Sequence, residues 1–293
     1  MRPTRAAIDL AALRENARLI QRAVGTAALC AVVKADAYGH GAEPVARALE
    51  QAGLCAALAV SLVEEGVALR DAGLALPILV MGPALAGGHA ELVARDLTPV
   101  VSQDSDLDPL AALGRARGRP VPIHLKVDTG MGRLGIPAAD VARVTARLLA
   151  MGCLALDGIC THFASADLPD LADAASATVE QLGRFERALA GARAAGAAPR
   201  VIHAANSAAA LRFPAARFDM VRPGIALYGN GPVGLPVETG RLGQVMQLES
   251  EVAQIRDVGV GQAVSYGAVW RAERPSRIAA TSAGVSIGSF TPI

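Results

Sequence analysis

The chain has 293 residues, 52% of them hydrophobic, and a formal net charge of +1. That charge makes no electrostatic case for nucleic acid or an anionic membrane, and the length allows one large core or two smaller ones. A small molecule is the expected partner.

The longest apolar runs, Leu54 to Leu62 and Leu74 to Met81, fall far short of the ~20 residues that a membrane helix needs. Arg2, Arg5, Asp9, Arg14 and Glu15 interrupt any signal-peptide core, so a cytoplasmic location is expected. Cys30, Cys55, Cys153 and Cys160 lack metal-ligand spacing and sit in or beside apolar runs, as small core thiols do; no metal site is expected.

In chain order, Asp9 can cap a helix with Leu13, Ala17, Ile20 and Val24 on one face, ending at Gly25. Strand-like runs then alternate with helical periods. The runs are Ala27 to Lys34, Cys55 to Val60, Pro77 to Gly82, Leu97 to Val101, Val121 to Val127, Cys153 to His162, Arg200 to Ala205 and Phe218 to Tyr228. Ser61 to Glu64 has capping-box spacing for a helix that stops at Gly73, and Pro137 suits a first helical turn before Val141. Strands apolar on both faces and joined by helices predict a parallel sheet, and eight of them predict an α/β fold of the closed (β/α)8 TIM-barrel type over residues 11–234. Gly229 to Pro236 reads as a linker. Val245 to Gly267 reads as hairpin-rich, turning at Asp257 to Gly259, so an all-β domain is expected over 235–293, with residues 1–10 as a strand associated with it.

A barrel places its chemistry at the C-terminal ends of its strands. Lys34 ends the first run, where partial desolvation would favour the neutral, nucleophilic amine, and Tyr38, Gly39 and Gly41 follow it. The fifth ends in Lys126-Val-Asp-Thr-Gly-Met-Gly-Arg133, the sixth in Cys160-Thr-His162, and the seventh leads into His203-Ala-Ala-Asn-Ser207; the eighth carries Arg222-Pro-Gly-Ile225. Asn206 and Ser207 suit a helix cap or a phosphate site; His162 alone could be structural, and His203, inside its strand, reads as structural. Gly130 to Gly135 matches G-x-G-x-x-G with Asp157 beyond it, which formally suggests a dinucleotide-dependent oxidoreductase, but it sits in the fifth strand-helix unit and explains no other strand end. A lysine, phosphate-binding groups late in a barrel, an arginine and a histidine together suggest a phosphate-bearing aldehyde held as a Schiff base, and pyridoxal 5′-phosphate meets those demands.

The segments Ala31 to Gly41, Lys126 to Gly135, Thr161 to Ser165, His203 to Ala209, Val221 to Gly229 and Val264 to Gly267 resemble, in order and barrel position, the motif series of alanine racemase. The resemblance implies a pyridoxal-phosphate enzyme that interconverts L- and D-alanine, supplying D-alanine for peptidoglycan, and that works as a homodimer. It implies Lys34 as cofactor lysine and base; Tyr38, Ser207 and the backbone at Gly224 and Ile225, beside Asn206, around the phosphate; and Arg222 facing the pyridine nitrogen with His162 beside it. Arg133 would reach the phenolic oxygen and the substrate carboxylate, and Lys126 is a candidate for carbamylation. The family's second base is a tyrosine within Gly-Tyr-Ala-Asp-Gly, whereas no tyrosine follows Tyr266 here. The expectation is a truncated or frameshifted β domain, impaired racemisation and a doubtful dimer. The alternatives are a barrel-type carrier or regulator that binds the cofactor without turnover, or another amino-acid racemase.

Overall fold

The computed structural model describes residues 3–168, 172–232 and 241–281 and divides into two compact units, Leu10–Val245 and Met1–Asp9 with Met246–Ile293. The linker and the 234/235 boundary expected from the sequence lie largely among residues 233–240, and the sequence after Thr281 follows them outside the described residues.

The larger unit is a closed parallel barrel. Its strands are β2 (Ala28–Val32), β3 (Ala57–Val60), β4 (Ile78–Val80), β5 (Thr98–Val101), β6 (Val121–Asp128), β8 (Leu154–Cys160), β9 (Val201–His203) and β10 (Met220–Val221), paired in that order, with β10 returning to β2. A two-residue strand, β7 (Ile136–Pro137), pairs parallel with the C-terminal end of β6. Every expected run contains a barrel strand. The eighth is much shorter than Phe218 to Tyr228 suggests, because Pro223 has no N–H for the ladder and the chain turns at Gly224 into a 3-10 helix, Ile225–Tyr228.

Register and alternation explain the composition of these strands. Cys30, Val32, Ala57, Ala59, Leu79, Val100, Cys160 and Met220 pack together in one buried cluster. The intervening Leu29, Ala31, Leu58, Val60, Ile78 and Val80 are buried as well, as a sheet covered on both faces requires. Small residues on the inner face leave room inside the barrel for larger polar side chains.

Helix α1 (Leu10–Val24) buries Leu13, Ala17, Ile20 and Val24, as its periodicity predicts, but also Asn16. The Asn16 amide donates to the carbonyls of Leu227 and Gly243 and accepts from the Gly243 N–H, all at 2.8–2.9 Å. This fastens the end of the barrel chain to its first helix. Helix α2 (Ala42–Gln51) follows β2, and α3 (Val63–Asp71) follows β3. The cap of α3 comes from Glu65 rather than from the Ser61 to Glu64 pair: its carboxylate accepts the N–H groups of Ser61 and Leu62 at 2.7 and 2.9 Å.

In the smaller unit, β1 (Arg5–Ile8) pairs antiparallel with β11 (Met246–Glu249), β12 (Val252–Val258) with β15 (Ser276–Thr281), and β13 (Ala263–Val264) with β14 (Trp270–Arg271). The chain does turn after Val258, but β12 pairs with the distant β15 rather than with the next strand, so Asp257 to Gly259 is not a local hairpin.

Candidate active site

The site begins with backbone strain. After β2 and Val33, the residues Ala35, Asp36, Ala37 and Tyr38 adopt φ of 50–55° and ψ of 36–52°, a left-handed helical turn built without glycine. Such a conformation costs roughly 1–2 kcal/mol per L-residue, so the surroundings must hold it. They do so at both ends. The Ala35 N–H donates to the Glu65 carboxylate at 2.5 Å, and Ala37 N–H to the Val33 carbonyl at 2.8 Å. Asp36 accepts the Ala42 N–H at 2.7 Å at the start of α2. The turn carries Lys34, half-buried, to the mouth of the barrel, where no hydrogen bond or ion pair with a described residue engages its amine. It also carries Tyr38 back over the mouth.

Tyr38, Ser207 and Gly224 converge there. The Val32 N–H donates to the Pro223 carbonyl at 3.0 Å, which brings the turn after β10 beside the end of β2. A Cβ on Gly224 would lie 2.4 Å from the Tyr38 hydroxyl, so any larger residue would have to displace the Tyr38 ring. Asn206 caps helix α8 (Ser207–Arg212), its Oδ1 accepting the Ala209 N–H at 3.0 Å. That capping bond is the role the structure gives the Asn206 side chain. The Ser207 Oγ accepts N–H groups from Gly224 at 2.9 Å and Ala226 at 3.2 Å. With its lone pairs so engaged, its own O–H is left to donate. The Gly224 N–H is thus committed to Ser207, and the residue contributes space rather than a free donor. Ile225 opens the 3-10 helix, where its N–H has no intrahelical acceptor. Tyr228 supports the cradle from below: it stacks on Tyr38 at 5.2 Å and its buried hydroxyl donates to the Val32 carbonyl at 3.0 Å.

Arg222 is buried at 5% exposure, and no carboxylate of the described residues contacts it. Its Nη1 donates to His203 Nδ1 at 2.7 Å; Nη2 donates to the carbonyls of Thr161 at 2.7 Å and Ala204 at 3.1 Å and approaches His162 Nδ1 at 3.3 Å. Its Nε has no acceptor among the described residues. Burial, with the positive charges of Arg222, Lys126, Arg133 and Lys34, pushes the His162 imidazole down to about 3, so it is neutral at physiological pH. His203, expected to be structural, is the imidazole nearest Arg222; β9 ends at His203 itself, short of the Arg200 to Ala205 run that hid it within a strand.

Lys126 is buried, and burial lowers its ammonium from the usual range, reinforced by Arg222 and Arg133. Arg133 is exposed in the loop after β6. That loop is the G-x-G-x-x-G match, and its geometry does not serve a dinucleotide. Asp128 Oδ1 accepts the N–H groups of Gly130, Met131 and Gly132 at 3.0–3.1 Å. Burial opposes ionisation of Asp128, but these bonds outweigh it and hold the carboxyl below its usual range. The chain then enters β7, not a helix, and a Cβ on Gly135 would strike the Asp128 nitrogen at 2.6 Å.

Comparisons with known proteins follow the same outline. The profile described as "Alanine racemase, N-terminal domain" matches residues 8–232, and "Alanine racemase, C-terminal domain" matches 245–289. The chain belongs to the alanine racemase family. A relative named alanine racemase from Sorangium cellulosum is 46% identical over 98% of this chain and 76% of its own length; one from Symbiobacterium thermophilum is 41% identical over 98% and 75%. The crystal structure of alanine racemase from the D-cycloserine producing Streptomyces lavendulae superposes with a TM-score of 0.85 at 38% identity, covering 95% of this chain and 73% of that one. The Bacillus anthracis alanine racemase with bound L-Ala-P gives 0.81 at 33%, covering 96% and 72%. As a member of the alanine racemase family the protein is an amino-acid racemase, an isomerase.

Proposed function

We propose that the barrel mouth binds pyridoxal 5′-phosphate and uses it to interconvert L- and D-alanine. The reading rests on one observation. A lysine amine and a guanidinium that no carboxylate contacts among the described residues meet a glycine-floored cradle of hydroxyls at the ends of β2, β9 and β10.

The donor set fits the cofactor. The Ser207 hydroxyl, the Tyr38 hydroxyl and the Ile225 N–H are donors for a phosphate, with Gly224 giving it room and Asn206 fixing the helix start. Arg222 Nε is the free donor for the ring nitrogen, and neutral His162 lies beside it. When bound, pyridoxal phosphate supplies the electron sink for the bonding pair at the substrate Cα. Lys34 then moves the proton on one face of Cα. Arg222 would donate a hydrogen bond to the ring nitrogen and, because a guanidinium does not readily give up a proton, would leave that nitrogen uncharged. Inversion also requires a proton carrier on the opposite face.

Arg133 is assigned to the alanine carboxylate and the cofactor's phenolic oxygen. The depressed Lys126 amine is suited to carbamylation, because carbon dioxide adds to the neutral amine, and the resulting anion would orient Arg133. A homodimer is consistent with the exposed Leu248, Ile255, Tyr266 and Val269 of the smaller unit. We assign the enzyme to D-alanine supply for peptidoglycan in the cytoplasm; among the described residues no helix is long and apolar enough to cross a membrane.

The test is hydrogen exchange at the alanine Cα in deuterated water with added pyridoxal phosphate, read beside optical rotation. The wild-type chain is expected to exchange the proton and Lys34→Ala to lose exchange by roughly a thousandfold or more. Equal exchange by both proteins would refute the assignment.

A further inference from the structure

Arginine can only donate hydrogen bonds, so the imidazoles beyond Arg222 have one possible direction. His203 Nδ1 accepts from Arg222 Nη1 at 2.7 Å, which puts the His203 proton on Nε2. That nitrogen lies 2.7 Å from His124 Nδ1, which must accept, so the His124 proton is also on Nε2. His124 Nε2 points toward Asp157 Oδ2 at 3.7 Å, and the Asp157 carboxylate closes on Arg200 through two bonds of 2.9 and 2.8 Å. Both imidazoles are buried, whereas the Arg200 side chain is 77% exposed. The row passes through the barrel interior from the strand-end mouth to a cavity of about 520 Å³ that His124, Asp157 and Arg200 line.

Two departures from a regular sheet accommodate this row. Strand β8 is bulged against β6: Ile123 pairs with Leu156 but His124 with Gly158, which leaves Asp157 unpaired and re-aims its side chain. Gly158 lies against the imidazole, where a Cβ would be 2.6 Å from His124 Nδ1. Each departure is explained if β8 must deliver a carboxylate to His124.

We propose that Asp157 is the remote counter-ion of Arg222, acting through His203 and His124 as positioning residues. On the cofactor reading given above, the row sets how strongly Arg222 donates to the ring nitrogen. In a low-dielectric interior, aligned hydrogen bonds polarise one another and present their negative end to the guanidinium. Arg200 competes with His124 for the same carboxylate, so a surface ion pair tunes the arginine inside.

The test uses the full chain labelled with ¹⁵N in its histidines, first without cofactor. Wild type is expected to show both His203 and His124 neutral with the proton on Nε2. Asp157→Asn keeps the shape and removes the charge; Arg200→Gln removes the competitor. The two variants should move the His203 Nδ1 resonance in opposite directions. After loading with pyridoxal phosphate they should displace the cofactor absorbance in opposite directions, and Asp157→Asn should lower kcat roughly tenfold with KM unchanged. An Nδ1–H tautomer at either histidine, or same-sign shifts in the two variants, overturns the proposal. If Asp157→Asn does not fold, Arg200→Gln decides alone, since an unmoved His203 resonance there overturns it. Failure of the wild type to take up the cofactor would defeat the cofactor reading and leave the tautomer experiment to decide the row.

Discussion

The two ends of the barrel handle charge in opposite ways and carry different amounts of backbone strain. At the N-terminal end, Arg117 and Arg119 meet Asp96, Arg200 meets Asp157, and Arg70 donates to the carbonyls of Leu74, Leu76 and Arg95. At the C-terminal end, Lys34, Lys126, Arg133 and Arg222 have no contacting carboxylate among the described residues, and four consecutive non-glycine residues sit in the left-handed region. The first end pairs its cations and has only isolated left-handed residues, Asp96 and Phe218; the second keeps cations without a carboxylate and a run of four strained residues. Strain and unspent charge of this kind persist where a bound group will use them.

Removing Arg222 should break this contrast most. Arg222→Ala strips buried partners from His203, His162 and two carbonyls, and a loss of about 3–5 kcal/mol in urea unfolding is expected. A loss under 1 kcal/mol would mean that the guanidinium is not integral to the fold. Next is the cradle. In Gly224→Ala the methyl meets the Tyr38 hydroxyl, and pyridoxal phosphate affinity by fluorescence titration should fall roughly tenfold to a hundredfold with the melting temperature little changed.

The acid response sharpens the same comparison. His162 is held neutral down to about 3 in the folded chain but protonates near its ordinary value of about 6.5 when unfolded. The unfolded state therefore binds more protons between those values, so stability is full above about 6.5 and falls as pH drops through the window. His203 shifts in the same direction through burial. His162→Gln should flatten the slope of stability between pH 7 and pH 5; an unchanged slope would place the acid sensitivity elsewhere. Smallest is the strained turn itself. Ala35→Gly relieves one left-handed alanine and should raise stability by about 1 kcal/mol while lowering turnover, because Lys34 loses its rigid mount.

Much of this site can be read from the chain, and the exceptions have physical causes. The barrel strands stand out because apolar runs on both faces leave little else for them to be, and Lys34, His162, Ser207 and Arg222 stand out because they end or follow such runs. The left-handed turn carries no sequence signal, since Ala35, Asp36, Ala37 and Tyr38 lack the glycine that normally marks it, and its supports come from Glu65 and α2. Glu64 and Glu65 are adjacent carboxylates, and only tertiary geometry selects the second as the cap. Asp157 invited reading as part of a nucleotide fingerprint, yet a bulge turns it toward His124 and Arg200. A one-residue register shift is invisible without its partner strand.

The central claim is that the amine of Lys34, which no described residue engages, is where the cofactor attaches. The purified chain should be incubated with pyridoxal 5′-phosphate, reduced with borohydride, digested and mapped by mass spectrometry. The account predicts a single phosphopyridoxyl group on the peptide containing Lys34. Labelling of Lys126 instead, or of neither lysine, would contradict it.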